Sequence, residues 1–184
     1  MKYLDKIAEQ LRIRPRVEVF LYDKDGRVLA SKSQDSHDQK GGSTKTWKFP
    51  GGGIEDNASV NATARREALE EAGVHIRGVH EIDQPPVYTK WPEHFKTWAK
   101  KTKGRSFDGQ QTYFRAGRVA GRDSSLLGHD NDSLRGADMV PIDILINDLR
   151  EASADSRNKY RVFDKEKLTG LLALKATLKS KGVR

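Results

Sequence analysis

Residues 51–74, GGGIEDNASVNATARREALEEAGV, are the stretch of this sequence that decides the fold. Three glycines open the stretch, and a helical pattern follows from Ser59, a residue type that caps helix N-termini well. Gly73 stands where helices commonly end in a left-handed residue. A stripe of small residues repeats along the predicted helix at Ala64, Ala68 and Ala72. This stripe would let the helix lie close to a sheet.

The same helix carries three glutamates on one face. Glu67, Glu70 and Glu71 fall within about 100° of one another around the helix axis. Like charges at this spacing destabilise a bare helix by roughly 0.2–0.5 kcal/mol per pair. A divalent cation bound to the carboxylate oxygens would offset that repulsion. The alternative is a solvated helix face, which is the usual environment of glutamate-rich helices.

The segments on either side alternate between strand and helix patterns. Strands are predicted at 17–21, 28–30, 47–49, 74–82, 111–120 and 137–142, and further helices at 3–11, 143–149 and 163–178. Residues 33–45 and 84–110 are predicted to be long irregular loops. This order predicts the α+β class, with helices packed against a mixed sheet. We expect one domain over 1–184, with an N-terminal helix in 1–14 and a C-terminal helical extension in 157–184.

Length and composition limit the class of protein. The chain has 184 residues and no cysteine, so disulfides and thiolate metal sites are excluded. It has no apolar run of about 18 residues, so no membrane span is expected. The first residues lack the apolar core of a signal peptide. A cytoplasmic protein is therefore expected.

Positive charge is concentrated in two segments. The formal net charge is +8, whereas residues 90–118 alone carry +6 and residues 157–184 carry +7. One interpretation is an ordinary solvated surface. The other is an anionic partner, either a phosphorylated small molecule or a nucleic acid.

The stretch 51–74 resembles the signature of the Nudix hydrolase family. In words, that signature is Gly, five residues, Glu, seven residues, then Arg-Glu-aliphatic-any-Glu-Glu-any-Gly-aliphatic. The resemblance implies a Nudix-type α/β/α sandwich, in which a mixed sheet lies between helices. One position departs from the pattern, because Ala58 stands where the first Glu is expected. Six fixed positions match at the required spacing: Gly52, Arg66, Glu67, Glu70, Glu71 and Gly73.

The resemblance also implies an activity and a metal site. The expected reaction is Mg²⁺-dependent cleavage of a nucleoside diphosphate linked to another group, with Mn²⁺ as an alternative metal. Substrates of this kind are nucleoside triphosphates, dinucleoside polyphosphates and nucleotide sugars. Arg66 would hold a carboxylate through a bidentate pair. The implied metal ligands are Glu67, Glu70 and Glu71, and the glycines that would approach the substrate closely are Gly51, Gly52 and Gly53.

Other candidates for the site are less specific. Trp47 and Arg115 are candidate substrate contacts, although a tryptophan at such a position is more often part of the core. Glu93 and Asp108 lie in the predicted 84–110 loop and are candidates for the general base, against an ordinary role as loop acids. Because Ala58 lacks a carboxylate, the second functional hypothesis is a catalytically weakened Nudix-fold module that binds RNA or a signalling nucleotide. A homodimer through the C-terminal helix is also left open.

Overall fold

Eight strands form one mixed sheet between helices in the computed structural model, which describes residues 12–33, 46–104, 106–123, 134 and 136–183. The strands are β1 (Ile13–Tyr22), β2 (Arg27–Ser33), β3 (Thr46–Lys48), β4 (Gly51–Gly53), β5 (Val74–Glu81), β6 (Val87–Lys90), β7 (Gly109–Arg122) and β8 (Asp138–Pro141). The helices are α1 (Val60–Ala72), α2 (Glu93–Lys103), α3 (Ile142–Ala154) and α4 (Arg161–Ser180). The predicted α+β class and α/β/α arrangement are confirmed.

β1 organises the sheet. It pairs in parallel with β7 and antiparallel with β2 and β4. Val17, Val19 and Leu21 point to one face of the sheet, and Phe20 and Tyr22 point to the other. Both faces of this strand are covered, which explains its nearly continuous apolar run.

On one face, α1 packs through its alanine stripe. Ala64, Ala68 and Ala72 are fully buried and share a core cluster with Val17 and Val19. Small side chains allow this close approach. The glutamates flank this stripe on the helix surface, so the same packing brings Glu67 and Glu71 next to β4.

On the other face, α3 and α4 cover an aromatic core. Phe20 stacks on Phe114 with ring centroids 5.9 Å apart, and Phe49 meets Phe20 edge-on at 5.1 Å. Gly170 of α4 lies directly on these rings: a Cβ there would come within 2.6 Å of Phe114 and 2.8 Å of Phe20. The absence of a side chain at Gly170 sets the distance between α4 and the sheet.

We expect Gly170→Ala to destabilise the protein. Overpacking a core costs about 1–3 kcal/mol, whereas alanine gains about 1 kcal/mol of helix propensity over glycine. The net loss should be about 1 kcal/mol, which lowers Tm by roughly 2–4 °C in a chain of this size. Thermal unfolding measures it, with Gly121→Ala as the control because a Cβ at Gly121 meets no atom within 4 Å. An unchanged or higher Tm for Gly170→Ala would contradict the close packing.

A buried carboxylate ties α4 to the sheet. Glu166 is 3% exposed and accepts hydrogen bonds from Thr89 of β6 and from Gln110 and Thr112 of β7. The distance from Thr112 Oγ1 to Glu166 Oε1 is 2.6 Å, and that from Gln110 Nε2 to the same oxygen is 2.9 Å. Because both oxygens of this carboxylate are satisfied, Glu166 holds α4, β6 and β7 together.

The prediction of an irregular segment over 84–110 is wrong. β6 pairs antiparallel with β7, and α2 follows directly after Pro92, which is its N-cap. Trp91 is 3% exposed, and its indole N–H donates to Gln110 Oε1 at 3.2 Å. Phe95 packs edge-on against Trp91 at 4.9 Å, so a small aromatic cluster anchors the segment. The prolines made the segment look irregular in the sequence, although Pro92 stands at the start of α2 and does not interrupt it.

The predicted N-terminal helix lies mostly outside the described residues. Where the structure begins, Ile13 and Arg14 already belong to β1, so the helix boundary expected at 14 is wrong. The C-terminal helix is present as α4 and ends at Ser180. Among the described residues, no helix combines the length and apolar character that crossing a membrane requires.

Candidate active site

Helix α1 is held at both ends by its own capping residues. The Ser59 hydroxyl accepts the N–H of Ala62 at 3.1 Å, and Gly73 adopts a left-handed conformation with φ of 62°. The Gly73 N–H donates to the Leu69 carbonyl at 2.9 Å. These caps satisfy groups that a helix leaves unpaired at its ends, so the position of each glutamate along α1 is well defined.

Two of the three α1 glutamates, Glu67 and Glu71, lie against the backbone of β4. The N–H of Gly51 donates to Glu71 Oε2 at 2.8 Å. A Cβ on Gly52 would lie 2.2 Å from Glu67 Oε1, so only glycine leaves room for that carboxylate. In the described part of the sheet β4 pairs with β1 alone, which leaves its other edge to α1. Glycines and glutamates that are 15 or more residues apart in sequence therefore form one site.

Arg66 bridges two of the three carboxylates. Its guanidinium donates to Glu67 Oε1 at 2.6 Å and to Glu70 Oε2 at 2.7 Å. The sequence predicts a bidentate pair with one carboxylate, whereas the structure gives one nitrogen to each of two. Burial raises the pKa of Glu67, and the charge of Arg66 opposes that shift.

The chemical type of the ligands, three carboxylates, suits a hard divalent cation. The three carboxylates share one helix face, and Glu67 is packed so tightly on Gly52 that a methyl group there would displace its oxygens. Carboxylate oxygens are the ligands that Mg²⁺ and Mn²⁺ prefer. In the described part of the chain, however, no three acidic or histidine side chains converge closely enough to enclose an ion. Arg66 takes up an oxygen of Glu67 and one of Glu70 in this arrangement.

Ala58 lies in the turn that leads from β4 to α1. Its side chain is exposed, and its N–H donates to the Glu55 carbonyl at 3.0 Å. Asn57 before it has a positive φ of 69°, a conformation that asparagine tolerates better than most residues. Glu55 is close enough to Arg66 for the two charges to attract each other. A carboxylate is thus present near the arginine, although not at the position of the signature.

Two other predicted residues are engaged elsewhere. Trp47 is 7% exposed, and its indole N–H donates to Oδ2 of the partly exposed Asp148 of α3 at 3.0 Å. Arg115 donates to Asn61 Oδ1 and to Glu81 Oε1, at 2.7 Å in each case, near the start of α1. The structure does not bring Trp47 to the glutamates, and it places Arg115 beside the first turn of their helix.

Glu93 and Asp108 lie away from the glutamates. Asp108 pairs with Arg12 at 3.2 Å, and Glu93 pairs with Lys96 at 2.8 Å. The Asp108 N–H donates to the Arg12 carbonyl, four residues along β1 from Arg16, which lies opposite Gly53. Four residues of a strand span roughly 13 Å. Neither carboxylate therefore contacts the α1 glutamates.

The sequence interpretation overlooked a charged pair on β1, the strand that pairs with β4. Glu18 of β1 is 1% exposed, lies opposite Gly51 and pairs with Arg16 at 3.2 Å. Among the described residues, the buried Glu18 Oε2 accepts no hydrogen bond. Arg16 contributes positive charge near Glu67. The signal was present in the sequence, because Glu18 interrupts the apolar run of β1 at a position where both sheet faces are covered.

The buried Glu18 should make stability depend on pH. Burial raises its pKa above the ordinary 4.5, while Arg16 and Lys167 oppose the shift. A raised pKa means that the folded state binds this proton more tightly than the unfolded chain does. Its contribution is therefore complete below the unfolded pKa and is lost as pH rises through the folded one. Glu18→Gln cannot ionise, so the free energy of unfolding of this variant should increase relative to that of wild type as pH rises from the ordinary 4.5 towards neutral pH.

Urea unfolding of both proteins across that pH range measures this difference. Glu151→Gln, at an exposed position of α3, controls for the removal of one negative charge. A difference between Glu18→Gln and wild type that stays constant with pH would show that Glu18 titrates as it does in the unfolded chain.

Comparison with known proteins identifies the family. The family model of the NUDIX domain matches residues 12–163. An RNA pyrophosphohydrolase of Dinoroseobacter shibae is 34% identical over 106 residues, which cover 55% of this chain and 62% of the relative. An RNA pyrophosphohydrolase of Sphingopyxis alaskensis is 30% identical over 122 residues, which cover 64% of this chain and 70% of the relative. The chain thus spans only 62% of the length of the first of these relatives.

A solved structure agrees with the architecture. The crystal structure of an ADP compounds hydrolase has a TM-score of 0.59 to this protein at 16% identity, and the match covers 93% of this chain and 76% of that one. At this identity the likeness concerns the fold alone. Together with the family match and with Glu67 and Glu71 placed along β4, it leads to one conclusion: the chain belongs to the Nudix hydrolase family.

Proposed function

We propose that this protein is a divalent-metal-dependent pyrophosphohydrolase that acts on the 5′-terminal phosphates of RNA. The observation that carries the proposal is the placement of two carboxylates of α1 along the glycine strand β4, with the third joined to them through Arg66. Glu71 accepts the Gly51 N–H, and Glu67 lies on the bare backbone of Gly52. Metal dependence is a property of the family to which the chain belongs.

Glu67, Glu70 and Glu71 are the residues that would hold the metal. When bound, Mg²⁺ or Mn²⁺ supplies an acidified water and offsets the negative charge of a diphosphate. The protein's own contribution is positional. The Gly51 N–H orients Glu71, and Arg66 orients Glu67 and Glu70. Gly51, Gly52 and Gly53 leave the backbone of β4 without side chains, which permits close approach of a phosphate.

RNA is the substrate class that the relatives favour. Both relatives described above are named RNA pyrophosphohydrolases. In RNA, phosphoric anhydride bonds occur only in the phosphate chain at the 5′ end, so a pyrophosphohydrolase acting on RNA must act there. The net charge of +8 also suits a polyanion. The proposal keeps the cytoplasmic location expected from the sequence, and the possible homodimer stays a prediction.

Four residues suggested by the sequence are left out of this proposal. The indole N–H of Trp47 is bound to Asp148, and Arg115 is bound to Asn61 and Glu81. The carboxylates of Glu93 and Asp108 are paired with cations away from α1. The proposed site therefore rests on α1 and β4.

A substrate panel tests the proposal. Release of pyrophosphate or phosphate is measured from 5′-triphosphate RNA, ATP, a dinucleoside polyphosphate and ADP-ribose, with Mg²⁺, with Mn²⁺ and with a chelator. We expect metal-dependent release with the highest kcat/KM on RNA. A higher kcat/KM on another substrate would overturn the RNA assignment. Folded protein that is inactive on the whole panel would overturn the hydrolase proposal.

A second candidate is a binding module with weakened catalysis. Two observations favour it: Ala58 replaces a carboxylate of the signature, and Arg66 occupies two of the remaining three. Such a protein would bind RNA or a signalling nucleotide without turnover, and binding of RNA would weaken steeply as salt rises. Turnover on the panel would exclude this candidate.

A further inference from the structure

An exposed tyrosine lies beside a charged cleft at the end of the sheet, where β6 leads into α2. The cleft has a volume of about 200 Å³, and Arg12, Lys96, Lys100 and Asp108 are among the residues that line it. Tyr88 of β6 is 49% exposed. It is close enough to Lys96 for the two side chains to interact electrostatically. We call Tyr88 and this cleft the Tyr88 surface.

The ring of Tyr88 packs on the backbone of Gly109, which has no side chain. A Cβ on Gly109 would lie 3.0 Å from both Cε2 and Oη of Tyr88, so the ring extends across the glycine. Half of the side chain remains open to solvent. An aromatic ring held on a sheet with an accessible surface is the feature on which single-stranded nucleic acids stack their bases.

The cations of the cleft are able to exchange partners. Lys96 pairs with Glu93, whose side chain is 86% exposed, so this ion pair contributes little to stability. The side chain of Arg12 is 60% exposed beside Asp108. Lys100 adds a third positive charge at the rim. A phosphate entering the cleft would replace the exposed Glu93 and the partly buried Asp108 as partners, and the three cations outnumber these two carboxylates.

Tyr88 lies on the same face of the sheet as the glutamates. Gly52 lies opposite Val17, which lies opposite Tyr113, and the missing side chain of Gly52 points towards Glu67. Tyr88 lies opposite Gln111, two residues from Tyr113 and therefore on the same face. Half-buried Tyr113 and Gln111 thus occupy the face between the two regions.

The separation indicates which part of a substrate would reach Tyr88. Three strand spacings and two residues separate Gly52 from Tyr88, a distance of roughly 15 Å. A stacked strand rises about 3.4 Å per nucleotide, so this distance corresponds to about four or five nucleotides, and fewer if the strand is extended. A single nucleotide whose phosphates lie at α1 would not need this surface.

We propose that the Tyr88 surface binds the RNA strand behind its 5′ end, with one base stacked on Tyr88 and a backbone phosphate among Arg12, Lys96 and Lys100. This inference rests on the proposed function and assigns the 5′-terminal region of single-stranded RNA to a second, non-catalytic contact. It explains why an exposed aromatic side chain on the face that carries the glutamates adjoins a basic cleft at the end of the sheet.

Chain length is the variable that tests it. KM is measured for ATP and for 5′-triphosphate RNAs of two, four and eight nucleotides, with wild type, Tyr88→Ala and Trp98→Ala. Trp98 of α2 is the matched control because it is 48% exposed but does not line the cleft. In wild type, KM should fall with length up to about four or five nucleotides. Tyr88→Ala should raise KM for the eight-nucleotide RNA at least about fivefold relative to ATP, the low end for loss of one stacked base.

Lys100→Gln tests the phosphate contact separately. Removing one phosphate contact to a single strand should reduce the slope of log KM against log salt by about 0.7. The proposal is overturned if wild-type KM does not depend on length, if Tyr88→Ala changes KM for ATP and RNA equally, if Trp98→Ala has the same effect, or if the salt slope is unchanged.

Direct binding separates this inference from the proposed activity. Fluorescence anisotropy with an eight-nucleotide 5′-monophosphate RNA requires no hydrolysis. Weaker binding by Tyr88→Ala, with unchanged binding by Trp98→Ala, would support the surface even if the substrate panel showed no turnover. Equal binding by all three proteins would overturn it even if RNA were hydrolysed.

Discussion

Replacing Glu71 with glutamine should lower kcat/KM for metal-dependent hydrolysis by at least about a hundredfold. The variant removes one of three anionic oxygen donors, and a metal contributes several kcal/mol of charge stabilisation to phosphoryl chemistry. The fold should be retained, because the glutamine carbonyl still accepts the Gly51 N–H that Glu71 Oε2 accepts at 2.8 Å. Steady-state kinetics with 5′-triphosphate RNA at several Mg²⁺ concentrations measure the loss.

The control for this prediction is Glu151→Gln, which removes the same charge from an exposed position of α3. Both variants should unfold within a few degrees of wild type. Retention of full activity by Glu71→Gln would remove Glu71 from the metal site. An equal loss in both variants would assign the effect to net charge and not to the site.

Restoring the missing carboxylate should strengthen metal binding. Supporting groups around metal ligands commonly contribute about 10–100-fold to affinity or activity, so Ala58→Glu should raise Mg²⁺ affinity or kcat/KM by about tenfold. Ala58 is exposed in the turn before α1, so a longer side chain enters solvent without displacing the core. Titration of activity with Mg²⁺ measures the gain.

Ala58→Gln is the matched control, since it has the same length and no charge. A gain in both variants would point to the turn and not to the carboxylate. If Ala58→Glu brings no gain, the site functions without a group at this position, and the exposed turn is too far from the other glutamates.

Local patterns predicted α1 well because the information lies within the helix. The spacing of Ala64, Ala68 and Ala72 predicts a buried stripe, and all three side chains are fully buried. Ser59 and Gly73 predict the ends of the helix and form its caps. These features depend on a few residues that are close in sequence. They can therefore be predicted without knowledge of the tertiary structure.

The segment 84–110 shows the opposite case. β6 is only four residues long and exists through its pairing with β7, while Trp91 gains its burial from Phe95, Phe107 and Phe163. A short strand between prolines carries too weak a periodic signal to be distinguished from a loop. The error therefore arose where contacts distant in sequence stabilise the local structure.

The sequence by itself determined that Glu67, Glu70 and Glu71 share a helix face, because helical periodicity needs only their spacing. It also determined the Nudix signature and the missing carboxylate at Ala58. Tertiary structure decided what those carboxylates meet: the bare backbone of Gly51 and Gly52, and an arginine shared between two of them. It also decided that Glu18 is buried behind β4 and that Tyr88 adjoins a basic cleft. Such juxtapositions depend on strand register across the sheet, which pairs residues too distant in the chain for any local pattern to specify.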